Sequence, residues 1–309
     1  MALGAAHTHY SKLLTGISVL YTNPAYVADL IVKPYTVTQD NDVYTVFDKT
    51  GFTVVNDVRA DRASENEIQF GWKYEPYRIE YHGLKDAVTD KQRRNADQGL
   101  DLDATSIEVI KDMILLAKEQ RVFGSGGLLR TAANNVGSAN IDWTTLTSAS
   151  PRGDVETGIN AVEAASGRTP NTIAMAPNVM RWIMRTSEYR EETKYTVNLS
   201  TQGGAEDLPD SLYGMKVVYV GALINTAKKG LADSLDRLMS DDIWLGYVHP
   251  GESLGQKILT HSACIWTEEY ARKWRDDDIE ADWMAYNLNY VNKVVAKECG
   301  YLLTSVLTA

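Results

Sequence analysis

The feature that most constrains this 309-residue chain is a pair of β-rich runs held apart by a charged stretch. From Tyr35 to Val58 the sequence is dense in Thr, Val, Tyr and Phe. Tyr44 to Phe47 and Phe52 to Val55 flank Lys49-Thr50-Gly51, a turn signal. A second β-rich run covers Glu67 to Tyr81, after the polar segment Arg59 to Asn66. The order predicts a long two-stranded excursion with a charged tip. An isolated ribbon is marginal in water, so one this long needs a surface to lie against, such as a neighbouring molecule. Arg59, Asp61, Arg62, Glu65 and Glu67 mix both signs at the tip, a pattern suited to pairing with complementary charges on an adjacent subunit. The competing reading is a solvated turn.

Residues 1 to 35 look like an arm. Pro24 and Pro34 interrupt regular structure, Ala25 to Val32 is the short helix candidate, and the segment is either loose or seated on another surface, another subunit's included. Leu102 to Gly124 is the strongest helix. Thr105 and Glu108 have capping-box spacing, and Gly124 supplies the stop. Ile107, Ile110, Ile114 and Ala117 form its apolar stripe, with Glu108, Lys111, Lys118 and Arg121 on the other sides. Just before it, Lys91, Arg93 and Arg94 read as a solvated face paired to nearby acids.

A Gly-, Ser- and Asn-rich connection (124–140) leads to Trp143, then to Pro151 and Asp154 ahead of a helix from Val155 to Ser166 closed by Gly167. Ile173 to Met175 is a short strand, and Pro177 opens a helix running to about Thr186. Met215 to Val220 and Ile243 to Val248 are further strands, giving an α+β central lobe. The chain then returns to β: Cys264 to Trp274, Ile279 to Val291 with Ile279, Ala281, Trp283 and Ala285 on one face, and Val294 to Val306.

Composition narrows the classes. With 44% hydrophobic and 23% charged residues, the chain reads as a globular protein whose length favours two lobes. A formal charge of -10 argues against a general nucleic-acid binder, which needs Lys and Arg to neutralise phosphates. Cys264 and Cys299 lack a C-x-x-C spacing and fit a reducing compartment. Neither a signal peptide nor a membrane span is expected.

Candidate chemistry is sparse. Gly124-Ser125-Gly126-Gly127 lacks the Lys-Ser/Thr of a phosphate loop, and Leu129 stands where a dinucleotide fingerprint needs its last glycine. Asp276-Asp277-Asp278 with Glu280 and Asp282 lacks the glycine and closing glutamate of a calcium loop and reads as a solvated bend. His249 stands near Ser253 without a G-x-S-x-G elbow. His7, His9, His82, His249 and His261 show no paired ligand spacing. Trp72, Trp143, Trp182, Trp244 and Trp283 read as core or interface residues. No catalytic, cofactor or metal site is expected.

Three blocks in order resemble the major capsid proteins of tailed bacteriophages with the Hong Kong 97-type fold. They are Arg78 to Asp97 running into the long helix; Trp143, Pro151 and Asp154 joined to Pro170-Asn171-Thr172-Ile173-Ala174-Met175-Ala176-Pro177; and the closing Gly300-Tyr301-Leu302-Leu303. The resemblance implies an N-arm (1–35) and an extended hairpin loop (36–82). It further implies a peripheral domain with a long spine helix (83–155 and 266–309) and an axial domain (156–265). It implies pentamers and hexamers closing an icosahedral head around double-stranded DNA, bound without sequence specificity. The implied partners are a separate scaffolding protein and a portal, with or without a decoration protein. The implied location is the virion, after assembly in the host cytoplasm. An encapsulin-like compartment shell and an enzyme without a recognisable motif are the alternatives.

Overall fold

The computed structural model describes residues 26–46, 53–59, 61, 64–67, 73–96, 101–131, 135–194, 208–228, 230–251 and 259–307. Its strands are β1 (Lys33–Thr36), β2 (Asn41–Val46), β3 (Lys73–Arg78), β4 (Glu80–Thr89), β5 (Asn135–Ser138), β6 (Thr172–Met175) and β7 (Ser211–Leu212). They continue with β8 (Met215–Tyr219), β9 (Leu223–Asn225), β10 (Leu235–Arg237), β11 (Ile243–Gly246), β12 (Ser262–Asp276), β13 (Ala281–Val294) and β14 (Gly300–Thr304). The helices are α1 (Ala28–Ile31), α2 (Asp90–Arg94), α3 (Leu102–Phe123), α4 (Leu128–Thr131), α5 (Pro151–Ser166), α6 (Pro177–Ile183) and α7 (Ser187–Thr193).

Two sheets organise these elements. A four-stranded sheet has the order β1-β12-β13-β4, with β1 parallel to β12 and the other pairs antiparallel. A mixed six-stranded sheet has the order β5-β14-β11-β6-β8-β7. The long helix α3 packs on the first: its Ile110 and Ile114 share a core with Met284, Tyr286, Leu288 and Tyr290, alternate residues of β13. The second core joins Val155 and Val162 of α5 to Ile173, Met175, Ile243, Leu245, Tyr301 and Leu303. Each such buried side chain contributes roughly 1.5–3 kcal/mol relative to exposure.

Local signals explain most boundaries and correct several expectations. Helix α3 starts at Leu102, as expected, but its cap is Asp101 and Thr105 forms no capping box: the Asp101 carboxylate accepts the N–H groups of Asp103 and Ala104 at 3.1 Å. The Thr105 hydroxyl donates to the Asp101 carbonyl instead. A capping box does occur, between Thr89 and Gln92, and it opens α2. Helix α5 begins at Pro151 with Ser150 as cap, so Asp154 lies inside its first turn, and Gly167 ends it in the left-handed region at φ 67°. The helix opened by Pro177 stops at Ile183, and Thr186 caps the separate α7. The closing β region has a 3₁₀ turn (Lys297–Cys299) before β14.

Three further corrections come from tertiary contacts. Residues 26–36 are fastened to their own subunit, with Val27, Ala28, Ile31, Val32 and Tyr35 buried; the rest of the expected arm lies outside the described residues. Lys118 is not on a solvent face of α3 but 7% exposed, because Asp29 supplies a counter-charge at 2.5 Å. On β13 the face that meets α3 is the one carrying Met284 and Tyr286, while Trp283 and Ala285 point to the opposite side. Both faces of this strand carry apolar residues, so alternation does not decide between them.

Candidate functional site

The charged excursion is a real ribbon at its root. Strands β2 and β3 pair antiparallel, Asn41 facing Arg78 and Val46 facing Lys73. The root is seated on the four-stranded sheet: Tyr77 and Ile79 pack with Ile265 and Val291, and Tyr44 adds its ring. The Tyr44 hydroxyl donates to the Val294 carbonyl at 3.2 Å. Burial, with Glu75 beside it, pushes the Tyr44 phenol up to about 12. These contacts fix where the ribbon leaves the subunit.

Beyond the paired strands the chain changes character. Thr53 to Val55, expected as a strand, has no regular secondary structure, and no strand pairs with it among the described residues. Val54 is 97% exposed and Val58 75%, far outside the range of a folded core. The expected turn at 49–51 lies outside the described residues, as does Arg62. Arg59 pairs with Glu65, and Asn66 Nδ2 donates to the Asn56 carbonyl at 2.8 Å, so the two sides of the tip are tied together. Asp61 and Glu67 are exposed. The structure thus brings together one pair of the five tip residues.

The two charge runs read as solvated faces meet each other. Arg93 donates to Asp282 and to Asp103, both at 2.6 Å, and Lys273 also reaches Asp103 at 2.6 Å. Arg275 forks onto Asp90 at 2.7 and 2.8 Å. The hydrogen bond from Arg93 holds the Asp282 carboxyl below its usual range. Asp276 accepts from Trp283 Nε1 at 3.0 Å. This clasp joins the start of α3 to the far end of the sheet, and single-residue signals show its charges but not its pairing.

The face of the four-stranded sheet away from α3 carries an aromatic and cationic patch that the alternation on β13 hinted at. Trp274 and Trp283 stack with centroids 6.3 Å apart, and Lys85 Nζ lies 4.0 Å from the Trp283 centroid. Arg272 lies over Tyr270 and Trp274 at 5.8 and 5.7 Å. Trp143 and Trp244 are buried, as expected for core residues.

The glycine loop and the two cysteines hold structural places. Gly124 N–H donates to Gln120 and Gly127 N–H to Gly124, so the glycine loop closes the C-terminus of α3. Cys264 and Cys299 are buried free thiols, each pushed by burial up to about 12. Among the described residues no group of three or more His, Cys, Asp or Glu could hold a metal ion. Ser253 lies outside them. No helix among them is long and apolar enough to cross a membrane.

No protein-family model matches the chain, and no curated protein matches its sequence. Solved structures do. A phage-related protein from Bordetella bronchiseptica aligns with 98% of this chain and 100% of its own, at 18% identity and a TM-score of 0.67. The capsid of the cyanophage P-SCSP1u aligns over 93% and 90%, at 10% identity and a TM-score of 0.60. An encapsulin complex from Synechococcus elongatus aligns over 93% and 89%, at 11% identity and a TM-score of 0.56. At such identities the likeness speaks for the fold. The chain has the α+β, Hong Kong 97-type fold found in phage capsids and in an encapsulin shell.

Proposed function

We propose that this chain is a structural shell subunit, the major capsid protein of a tailed-phage head, and not an enzyme. The observation that carries the reading is the ribbon: rooted firmly at Tyr44, Tyr77 and Ile79, it holds Val54 and Val58 out of their own core. A ribbon that projects this far from its own core has little to lie against within one chain, whereas a shell subunit lays it on a neighbour. Each added neighbour makes the next contact nearly intramolecular, so many moderate contacts suffice. Arg59, Asp61, Arg62, Glu65 and Glu67 would set the register of that contact.

In this reading residues 1–35 are the N-arm and 36–82 the extended hairpin. Residues 83–155 and 266–309 form the peripheral domain with α3 as its spine, and 156–265 the axial domain, whose sheet β5 and β14 join from the peripheral segments. Pentamers and hexamers close the shell in the host cytoplasm, with scaffolding protein and portal, and with or without a decoration protein, as partners. The net charge of -10 suits a wall that encloses double-stranded DNA without gripping its phosphates.

The second reading, an encapsulin-like compartment, is favoured by the match to an encapsulin complex at a TM-score of 0.56. Electron microscopy of the purified protein, with assay of its cargo, separates the two. Closed shells carrying DNA support the phage head, and shells carrying protein support the compartment. A strict monomer at high concentration sinks both.

A further inference from the structure

Residues 26–32 form a short strap along α3, with α1 at its middle and β1 following. Val27, Ala28, Ile31 and Val32 are buried while Leu30 is 49% exposed, so one side of the strap is open to solvent. It is fastened to α3 by Tyr26 to Asp112, by the Ala28 N–H to Glu119 and by Asp29 to Lys118.

Glu119 is the fastening that stands out. It is 1% exposed, its Oε1 accepts the Ala28 N–H at 2.6 Å, and its Oε2 meets no hydrogen-bond partner among the described residues. A carboxylate housed in this way is costly when ionised, because the water it loses is replaced only in part. The charges around it do not cover it. Lys118 is bonded to Asp29 at 2.5 Å, so an ionised Glu119 sets two carboxylates against one ammonium. Cys264 of β12 and Tyr290 of β13 lie beside Lys118, and burial pushes both upward, so they stay neutral near pH 7. Arg121 is engaged with the Tyr290 hydroxyl at 2.7 Å. On β4, burial and Arg121 lower His82, with Glu80 beside its ring, and on α4 Arg130 is paired with Asp242.

The two sides of this seam differ in what holds them. Glu119 belongs to a helix of 22 residues packed on the four-stranded sheet, whereas the strap contains a helix of only 4. Local opening takes the smaller unit first. We propose that Glu119 is a latch read by pH: protonated, it holds residues 26–32 on α3, and ionised, it lets them lift while the rest of the subunit stays folded. The charge that the closed seam houses poorly is solvated once the strap lifts. Burial already pushes this carboxyl up to about 7, so the strap loosens as pH rises from about 4.5 toward that value and changes little above it. This inference does not rest on the shell reading, since it concerns a single chain.

The two native thiols provide the test. Cys264 shares a core with Ala28, Ile31 and Val32, whereas Cys299 is buried apart from it, in the 3₁₀ turn before β14. The unassembled full-length protein is labelled with dithiodipyridine, and each rate is divided by that of glutathione at the same pH. Between about pH 5 and about pH 7.5 the Cys264 ratio should rise roughly fiftyfold, the gap between a solvated carboxyl and one pushed up to about 7. The Cys299 ratio should not follow. In Glu119→Gln the Cys264 ratio should be flat, which also excludes His82 as the sensor. A flat Cys264 ratio in the parent, an equal rise at both thiols, or a rise that persists in Glu119→Gln overturns the proposal. Should Glu119→Gln fail to fold, Asp29→Asn decides. Lys118 is then free to match the ionised carboxylate, so the rise should shrink, and an unchanged rise refutes the latch.

Discussion

Glu119 holds the entering chain by its backbone: its Oε1 accepts the Ala28 N–H at 2.6 Å. The carboxyl is 1% exposed, and burial, against the opposing pull of the Ala28 and Val27 N–H groups, pushes it up from 4.5 to about 7. Asp29 adds to the rise and Lys118 opposes it.

The sign follows from linkage. A value raised in the folded state means that folding favours the proton, so this contribution is full below about pH 4.5 and lost as pH rises through about 7. The shift corresponds to roughly 3 kcal/mol. Glu119→Gln keeps an acceptor for Ala28 and does not titrate. It should be more stable than the parent near pH 8, by up to that amount, and lose the advantage near pH 4.5. Urea unfolding of both proteins at the two pH values checks this, and an unchanged difference between them refutes it.

Asp154 satisfies two partners in the second core. Its Oδ2 accepts from Trp143 Nε1 at 2.9 Å and its Oδ1 from Asn140 Nδ2 at 2.7 Å. Trp143 is fully buried, so Asp154→Ala strands its N–H away from water. The expected loss is roughly 3 kcal/mol in chemical denaturation. Asp154→Asn keeps one acceptor but turns a second amide NH₂ toward Asn140, and should lose less. A loss below about 1 kcal/mol for the alanine variant contradicts the assignment.

What the sequence made legible was whatever local chemistry decides. Pro151 and Gly167 bracket α5, Pro177 starts α6, and Ile173 to Met175 is a strand because its neighbours break regular structure on both sides. Tertiary compensation was not legible. Lys118 has the spacing of a surface residue, yet it is buried by a partner 89 positions away and by the Tyr290 ring at 5.2 Å. Arg93 and Asp282 stand 189 positions apart, so their charges are visible in the sequence and their bond is not. The exposure of the tip was legible from its polarity. In the proposed shell the surface it meets belongs to another molecule, and nothing in one chain's periodicity describes that.

Gly246 and Gly300 face each other across β11 and β14. A Cβ on Gly246 would lie 2.6 Å from both the Cys299 carbonyl oxygen and Trp244 Cζ2. Trp244 is fully buried, with the His261 ring 5.1 Å away, so neither the ring nor the backbone can give freely. Gly246→Ala should therefore cost roughly 1–3 kcal/mol, although alanine is the better residue for an ordered chain. Thermal unfolding measures it, and an unchanged midpoint shows that the slot between the two strands is roomier than these contacts imply.

The hairpin tip allows assembly to be separated from folding. Arg59 pairs with Glu65, but both are well exposed, and such pairs contribute only about 0–1 kcal/mol. Arg59→Glu with Arg62→Glu should then leave the unfolding midpoint of the subunit nearly unchanged while shell formation, followed by electron microscopy, falls. Normal shells from this variant make the tip charges unimportant. A reduced yield alone leaves one question, whether Arg59 acts on a neighbour or only shapes its own tip through Glu65. Arg59→Glu combined with Glu65→Arg restores the internal pair with its signs reversed. If Arg59 meets a neighbour, that swap should still assemble poorly, because the charge presented outward remains inverted. Recovery of shells by the swap assigns Arg59 the internal role and moves the inter-subunit contact elsewhere on the ribbon.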